Sequence, residues 1–368
     1  MARRWWYKVS MVRRTPRARV LGAATVLALV TVAGAGVASV RADDDPVLPP
    51  VAADRLLASA IEAVSSPVAI SGDVVTTLDL GVPELPAPIA GGAGAPAALA
   101  SFLGDQRWKV WSSADGLRVA HLLPAREQDL VINREEAWWW DSAKLQAVRL
   151  DLAAFRAEAG VPPAASASAP SVDPVTLAGT LIRGVAPCAS VSVQGTDRVA
   201  GRDAYVLALI PLSPGSLVGS VRLSIDAETR LPLRVEVRST ADDDTPIAAG
   251  FTSVSFEPID PAMFAFEPPA GADVSDVSDA STAAGEEEGE EPAEGEMPAI
   301  TDTRVFGDCL GLIVAARLDG PVPQDAAQLL PFAGPLGSAI AVDRGDHTWL
   351  LAGLVDAGAL EARAAALP

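Results

Sequence analysis

The chain has 368 residues, a formal net charge of −19 at neutral pH, and only two cysteines and two histidines. This length accommodates two domains after a leader is subtracted. The acidic balance excludes nucleic-acid binding, because recognition of the phosphate backbone requires a basic surface. So few His and Cys ligands also make a zinc site improbable, and no metal or cofactor is predicted.

The N-terminus combines a basic stretch with an apolar run. Residues 1–19 contain seven basic residues and no acid, and Val20–Val40 carries no charge. Such a run can span the roughly 30 Å of a bilayer core as a helix whose basic side stays in the cytoplasm. The small residues around Ala42 would also suit cleavage by a signal peptidase. A retained single-pass anchor and a cleaved signal peptide are both open, and either places the remaining chain outside the membrane.

The exported part is more acidic than the whole chain. Residues 43–368 hold 20 basic and 47 acidic residues, and ten of these acids lie between Asp273 and Glu296. The surrounding segment, Pro268–Pro298, has almost no large apolar residue and cannot bury enough surface to fold. We therefore expect a disordered acidic linker over residues 268–299.

The first half of the exported part reads as a helix followed by strands. Asp54–Val64 carries apolar residues at helical spacing, and Asp173 followed by Pro174 is typical of a helix start. The long, apolar, Gly- and Pro-rich loop Gly81–Gly104 is predicted to be a flap. The predicted strands are Val68–Leu80, Arg107–Trp111, Leu117–Leu123, Asp129–Asn133, Ala137–Asp141 and Leu145–Leu150, and the further helices are Leu152–Ala159 and Asp173–Val185.

The second half has the clearest strand pattern. Leu231–Val237 alternates apolar and charged residues with a period of two, which predicts a strand with one buried face. Ala204–Ile210, Ser220–Ile225 and Ala248–Phe256 are the other predicted strands. Polar turns separate these runs, so we predict an antiparallel sheet that is covered on one face.

A small C-terminal domain is predicted after the acidic linker. Its expected elements are an apolar strand-like stretch Val305–Leu318, a short helix capped by Asp325, a hairpin of Ser338–Val342 and Thr348–Leu354, and a helix Ala357–Leu367. The predicted domain limits are 1–19 for a basic tail, 20–42 for the anchor or signal peptide, 43–52 for a linker, 53–267 for the sheet domain, 268–299 for the acidic linker and 300–368 for the last domain.

Cys188 and Cys309 are the only cysteines. Thiols tend to pair outside the membrane, so we predict a Cys188–Cys309 disulfide that ties the sheet to the C-terminal domain. The alternative is two separate buried thiols.

No constellation of residues indicates catalysis. A catalytic triad needs a histidine beside a nucleophile and a carboxylate. His121 lies in a predicted strand, where a sheet-surface position is expected, and His347 lies in a polar turn. Motifs of phosphate loops, dinucleotide sites and nucleophile elbows are absent from the sequence. We therefore predict no catalytic residues and no enzyme.

Three consecutive tryptophans form an unusual local feature. Because neighbouring strand residues face opposite sides, Trp138 and Trp140 share one face and Trp139 takes the other. On a concave face, the pair would form an apolar wall for lipid or peptide. The alternative is that the pair fills the core under the helices. Trp108 and Trp111 have opposite parity, so only one of them can join such a wall.

Several motifs together resemble the exported LolA-like proteins of actinobacteria, which are related in fold to lipoprotein carrier and sorting proteins. They are Val199–Tyr205, Asp226 with Leu231-Pro232, Trp138–Asp141 and Phe251. The resemblance implies an α+β fold, in which a strongly curved antiparallel sheet forms an incomplete barrel with helices in its concave face. It also implies a cavity for acyl chains or a lipidated peptide, for which the candidate residues are Trp138, Trp140, Trp108, Tyr205 and Phe251.

The C-terminal stretch Leu336–Leu367 is similar to the small last domain of RseB/MucB-type proteins, which are periplasmic regulators of an anti-sigma factor. Two functions follow from the resemblances. The first is binding of a lipid or lipid-modified protein at the cell envelope, and the second is regulation through a membrane partner. Arg202 is interpreted either as a gate or headgroup contact or as a residue that stabilises its turn.

Overall fold

The structure is a computed structural model. It describes residues 46–368 except 67, 82–102, 160–172, 242–243, 277–298, 308, 323–326 and 328–329. The predicted anchor or signal peptide, most of the predicted flap and most of the acidic linker therefore lie outside the described residues. Within them, no helix is both long and apolar enough to cross a membrane.

Elements are numbered among the described residues. The helices are α1 (Ala53–Ser65), α2 (Leu152–Ala159), α3 (Pro174–Val185) and α4 (Ala357–Ala364). The strands are β1 (Ile70–Leu78), β2 (Gly104–Ser112), β3 (Leu117–Leu123), β4 (Arg126–Ile132), β5 (Glu136–Asp141), β6 (Gln146–Asp151), β7 (Ala189–Val199), β8 (Arg202–Pro211), β9 (Val218–Asp226), β10 (Pro232–Ser239), β11 (Ile247–Ser255), β12 (Asp273–Asp276), β13 (Ile300–Phe306), β14 (Ile313–Leu318), β15 (Phe332–Ala333), β16 (Ser338–Asp343) and β17 (Thr348–Gly353).

Twelve strands form one large sheet in the order β12-β6-β5-β4-β3-β2-β1-β11-β10-β9-β8-β7. All neighbours are antiparallel except β12, which pairs with β6 in parallel. Strands that follow each other in sequence pair as hairpins in most of the sheet, which is the arrangement that polar turns between alternating runs favour. The sheet is curved and open rather than closed, so the predicted fold class is confirmed.

Two helices cover one face of this sheet. Leu56 and Ala60 of α1 and Ala178 and Ile182 of α3 pack against buried residues of β8 to β10, such as Leu207. Helix α3 begins as the sequence predicts, because Asp173 Oδ1 accepts a hydrogen bond from the Thr176 backbone N–H at 2.9 Å. This helix-covered side is the concave face of the sheet. The largest hydrophobic core lies between it and α1 and α3.

The C-terminal domain is a five-stranded sheet in the order β13-β14-β17-β16-β15. Trp349 and Leu351 of β17 are buried on the side of this sheet where Leu360 of α4 packs. The predicted hairpin of β16 and β17 is present, with Asp343 opposite Thr348. The single apolar strand expected over Val305–Leu318 is instead two strands, β13 and β14, joined by a short turn.

The two sheets are joined covalently and by packing. The predicted disulfide is present, with Cys188 Sγ and Cys309 Sγ 2.06 Å apart. Leu336 is buried in the core beneath α1 and α3, and the Leu217 backbone N–H donates to Leu354 O at 2.9 Å. The C-terminal sheet therefore contributes side chains to the core of the large one.

The sequence patterns did not predict two of the strands, β7 and β12. Strand β7 was not predicted, and its parity breaks at a bulge where Gly195 has a φ of 130°. The segment 268–299 was expected to be disordered throughout, but Asp273–Asp276 forms β12. That expectation was wrong for these four residues because backbone pairing with β6 does not depend on apolar side chains.

We expect removal of the disulfide to destabilise the protein. The bond closes a loop with a sequence separation of 121 residues. Loss of a native disulfide typically costs about 2–5 kcal/mol, and the upper end applies to long loops, because the cross-link restricts the unfolded chain. Replacement of Cys188 and Cys309 by serine should lower the free energy of unfolding by that amount in urea titrations. An unchanged free energy of unfolding, with the wild-type bond shown intact by thiol counting, would contradict this expectation.

Candidate functional site

The register of the strands assigns each side chain to one face of the large sheet, because residues directly opposite each other point to the same side. One row runs from the helix-covered core through Leu207, Leu223, Val235 and Ala249 to Thr76. The row continues from Thr76 to Gln106 in β2. Trp108 lies two residues further along β2 and therefore shares the concave face.

Trp138 and Trp140 lie on the opposite face. Trp138 is directly opposite Val131, which is opposite Arg118, which in turn is opposite Trp111. Trp111 and Trp108 have opposite parity, so the expected wall of Trp138, Trp140 and Trp108 does not form. The three side chains lie on two faces because parity groups residues only within one strand, whereas pairing with neighbouring strands decides which group faces the helices.

The five predicted cavity residues are all buried: Trp138, Trp140, Trp108, Tyr205 and Phe251. Trp138 and Trp140 contact Phe266, with ring centroids 5.5 and 6.0 Å apart. Tyr205 packs beneath the helices and donates a hydrogen bond from its hydroxyl to Pro49 O at 2.9 Å. These side chains therefore contact the protein's own residues in this structure.

Trp139 is the tryptophan that opens onto the concave face. It lies opposite Leu130, which continues the row to Val119 and Val110, and its side chain remains 37% exposed. Partly exposed apolar side chains surround it on β3 to β6. We call this surface the ligand face, and its members are Leu117, Leu130, Ile132, Ala137, Trp139, Val148 and Leu150.

A polar row borders the ligand face on its long side. His121, Gln128 and Asp141 are directly opposite one another on β3, β4 and β5. Gln128 Nε2 donates to Asp141 Oδ2, and His121 Nε2 contacts Gln106 Oε1, each at 2.9 Å. The His121 ring also stacks on Trp108, with centroids 3.8 Å apart. The ligand face is thus apolar in its middle and hydrogen-bonding along one edge.

Burial and hydrogen bonding fix the charge of this border. Burial lowers the pKa of His121, and the positive charge of Arg126 lowers it further. Burial acts to raise the pKa of Asp141, but hydrogen bonds from Gln128 and from the backbone N–H groups of Lys144 and Ala143 outweigh it and hold that pKa below its usual value. At neutral pH the border therefore carries a neutral imidazole and an ionised carboxylate.

Arg202, at the start of β8 and far from the ligand face, forms an ion pair with Asp226. Its guanidinium donates to both carboxylate oxygens of the buried Asp226, at 2.6 and 3.1 Å, and to Glu228 at 2.7 Å. Burial raises the pKa of Asp226, but hydrogen bonds from Arg202 and Thr229 overcome this and lower it. Because Asp226 Oδ1 also accepts from the Glu228 and Thr229 backbones, this pair holds the turn between β9 and β10.

Three surface pockets lie away from the ligand face. One pocket, of about 560 Å³, is lined by the Arg202 ion pair and Leu48. The second, about 450 Å³, lies between Leu217 and Pro335, and the third, about 270 Å³, lies beside Trp111. None of the five predicted cavity residues lines these pockets. Among the described residues, no group of three or more His, Cys, Asp and Glu side chains could hold a metal ion.

No protein-family model and no curated protein matches this chain. Solved structures do resemble it. The Pseudomonas aeruginosa MucA/MucB complex is 15% identical with a TM-score of 0.43, and the match covers 84% of this chain and 96% of that one. A LolA superfamily protein from Nitrosomonas europaea is 13% identical with a TM-score of 0.23, covering 59% and 99%. The Mycobacterium tuberculosis lipoprotein LppX is 11% identical with a TM-score of 0.28, covering 56% and 98%.

The matching structures come from both classes that the sequence patterns indicated. Their TM-scores lie below 0.5, so what those proteins bind is not carried over to this chain. The ligand face itself was not predicted. The sequence placed Trp139 on the other side of the strand from Trp138 and Trp140 but gave it no role. The sequence did contain a signal for this face. Leu130 and Ile132 alternate along β4 and lie on the same side of the sheet as Trp139, since Leu130 is directly opposite Trp139.

We expect His121 to make stability depend on pH. Its folded pKa lies below the ordinary value of about 6.5, so the unfolded chain takes up the proton first as pH falls. The His121 contribution is therefore complete above that pH and is lost below it. In urea titrations between about pH 7.5 and 5, the free energy of unfolding of His121→Gln should fall less than that of the wild type. Equal slopes would contradict this assignment.

We expect Asp226 to contribute far more stability than an exposed acid beside it. Removing one partner of a buried pair leaves an uncompensated charge and costs about 3–5 kcal/mol. Asp226→Asn should lower the free energy of unfolding by that order, because Arg202 is then left without its main partner. The matched control is Asp203→Asn, which breaks the exposed pair with Arg198 and should cost less than about 1 kcal/mol. Equal costs for both variants would contradict the expectation.

Proposed function

We propose that this protein binds a hydrophobic ligand, a lipid or the acyl chain of a lipid-modified protein, on the ligand face of β3 to β6. The observation that carries the proposal is the exposure of Trp139 among partly exposed apolar side chains on the concave face. Burying such surface stabilises a complex by about 25 cal/mol per Å². Among the described residues, α1 and α3 pack over β8 to β10, and the side chains around Trp139 on β3 to β6 stay partly exposed.

The shape of the ligand face suits an amphipathic ligand. Its apolar rows cross four strands, which are spaced about 4.8 Å apart, so an extended acyl chain can lie across them. The border of His121, Gln128 and Asp141 provides hydrogen-bonding groups for the polar end of the same ligand. We expect the acyl chain to lie over Trp139 and the polar end to lie toward this border.

The site of action follows from the disulfide. A Cys188–Cys309 bond that joins the two sheets persists in an oxidising compartment and is rare in the cytosol. We therefore propose that the protein acts outside the cytoplasmic membrane, either anchored to it or released into the envelope. The predicted N-terminal apolar run supports this location.

Replacement of Trp139 tests the proposal. Trp139→Asp should weaken binding of a dansyl-labelled fatty acid by about tenfold or more, because a charge then lies in the middle of the apolar rows. Binding is measured by titration of the exported part of the chain with the dansyl probe. The matched control is Leu122→Asp, since Leu122 is 39% exposed but lies on the opposite face.

Equal probe binding by the Trp139 variant and the wild type, or no probe binding by the wild type, would sink the proposal. In that case, capture of a single-pass membrane protein by the wild type from host membranes would favour the regulatory alternative. The disulfide and the shared core support that alternative, because they join the two sheets into one unit that a partner could contact.

A further inference from the structure

The face of the large sheet that carries Trp138 and Trp140 is covered by the chain's own segment Glu257–Asp276, which we call the strap. The strap leaves the end of β11, crosses the sheet opposite the ligand face and ends as β12 beside β6. Its central turn, Pro261–Phe264, begins at Asp260, whose Oδ1 accepts from the Ala262 backbone N–H at 2.9 Å. The strap therefore covers this face with a single layer of irregular chain.

Two phenylalanines fix the strap to the sheet. Phe266 contacts both Trp138 and Trp140. Phe264 is 2% exposed and lies against Gly116, where an added Cβ would be 2.7 Å from the Phe264 ring. Gly116 therefore provides the space that Phe264 fills. Phe264 and Phe266 are two residues apart, and both pack against the sheet.

Three polar atoms on this face have no partner in the strap. Trp138 Nε1, Arg118 Nε and Asp129 Oδ1 are buried without a hydrogen-bond partner among the described residues. Arg118 Nη1 contacts the thioether of Met263 at 3.9 Å, and a thioether is a weak acceptor for a cation. Each buried polar group left unpaired costs about 1–3 kcal/mol. Arg118 Nη2 already forms an ion pair with the buried Asp129, so the carboxylate that this guanidinium needs is part of the sheet itself.

The end of the strap is also weakly held. Strand β12 has four residues and is the only parallel neighbour in the large sheet. Asp273, Val274 and Asp276 are exposed, and parallel pairing is slightly less stable per residue than antiparallel pairing. If β12 leaves, the edge of β6 presents unpaired backbone groups that can accept another strand.

We infer that the strap is the internal occupant of a peptide-binding groove. The external occupant that fits is an extended segment of a protein partner. It carries two aromatic residues two positions apart, and its end pairs with the edge of β6. The groove and the ligand face lie on opposite sides of β3 to β6, so this inference does not rest on binding of a hydrophobic ligand.

The strap sequence itself supplies the probe. A labelled peptide of residues 257–276 should bind the Phe264→Ala, Phe266→Ala double variant at least about tenfold more tightly than it binds the wild type, because the internal strap no longer competes. A control peptide with both phenylalanines replaced by alanine should bind neither protein.

Equal binding of the strap peptide to both proteins, or binding by the control peptide, would overturn the inference. If the double variant does not fold, hydrogen exchange on the wild-type protein decides instead. Amides of residues 262–276 should then exchange at least about tenfold faster than those of β4 and β5, since a displaceable strap opens without global unfolding. Exchange of the strap only at the rate of the whole sheet would rule the groove out.

Discussion

The strand register of β3 to β6 is the constraint on which the functional surfaces depend. In a strand, successive side chains alternate between faces, and direct pairing with neighbours links these faces into rows across the sheet. Trp139 belongs to the row that continues to Val110, and Trp138 to the row that ends at Trp111. A shift of one residue in β5 relative to its neighbours would exchange its two faces and would turn Trp139 toward the strap.

The two faces of the same strands are covered by different means. On the concave side, α1 and α3 pack on β8 to β10 and leave the ligand face partly open. On the other side, the strap covers Trp138 and Trp140 with two phenylalanines and leaves buried polar atoms unpaired. The helices are held by a large apolar core, whereas the strap is held by few side chains.

The ends of the sheet are held by stronger local interactions. The bidentate pair of Arg202 and Asp226 fixes the turn between β9 and β10, and the Asp226 carboxylate of this pair is buried. The disulfide and the burial of Leu336 join the C-terminal sheet to the core beneath the helices. These contacts hold the β7 to β10 half to α1, α3 and the C-terminal sheet. Both proposed binding surfaces lie on the β3 to β6 half, away from these contacts.

The sequence by itself determined most elements and their local chemistry. Period-two alternation located β9 and β10, the Asp173-Pro174 pair located the start of α3, and two cysteines outside a membrane sufficed for the disulfide. These signals act between near neighbours or by composition, so one chain contains them. Only the tertiary structure decided which parity faces the helices, because pairing partners and the bulge between Asp73 and Val74 are set by strands distant in sequence. For that reason Trp139, rather than Trp138 and Trp140, is the tryptophan of the candidate site.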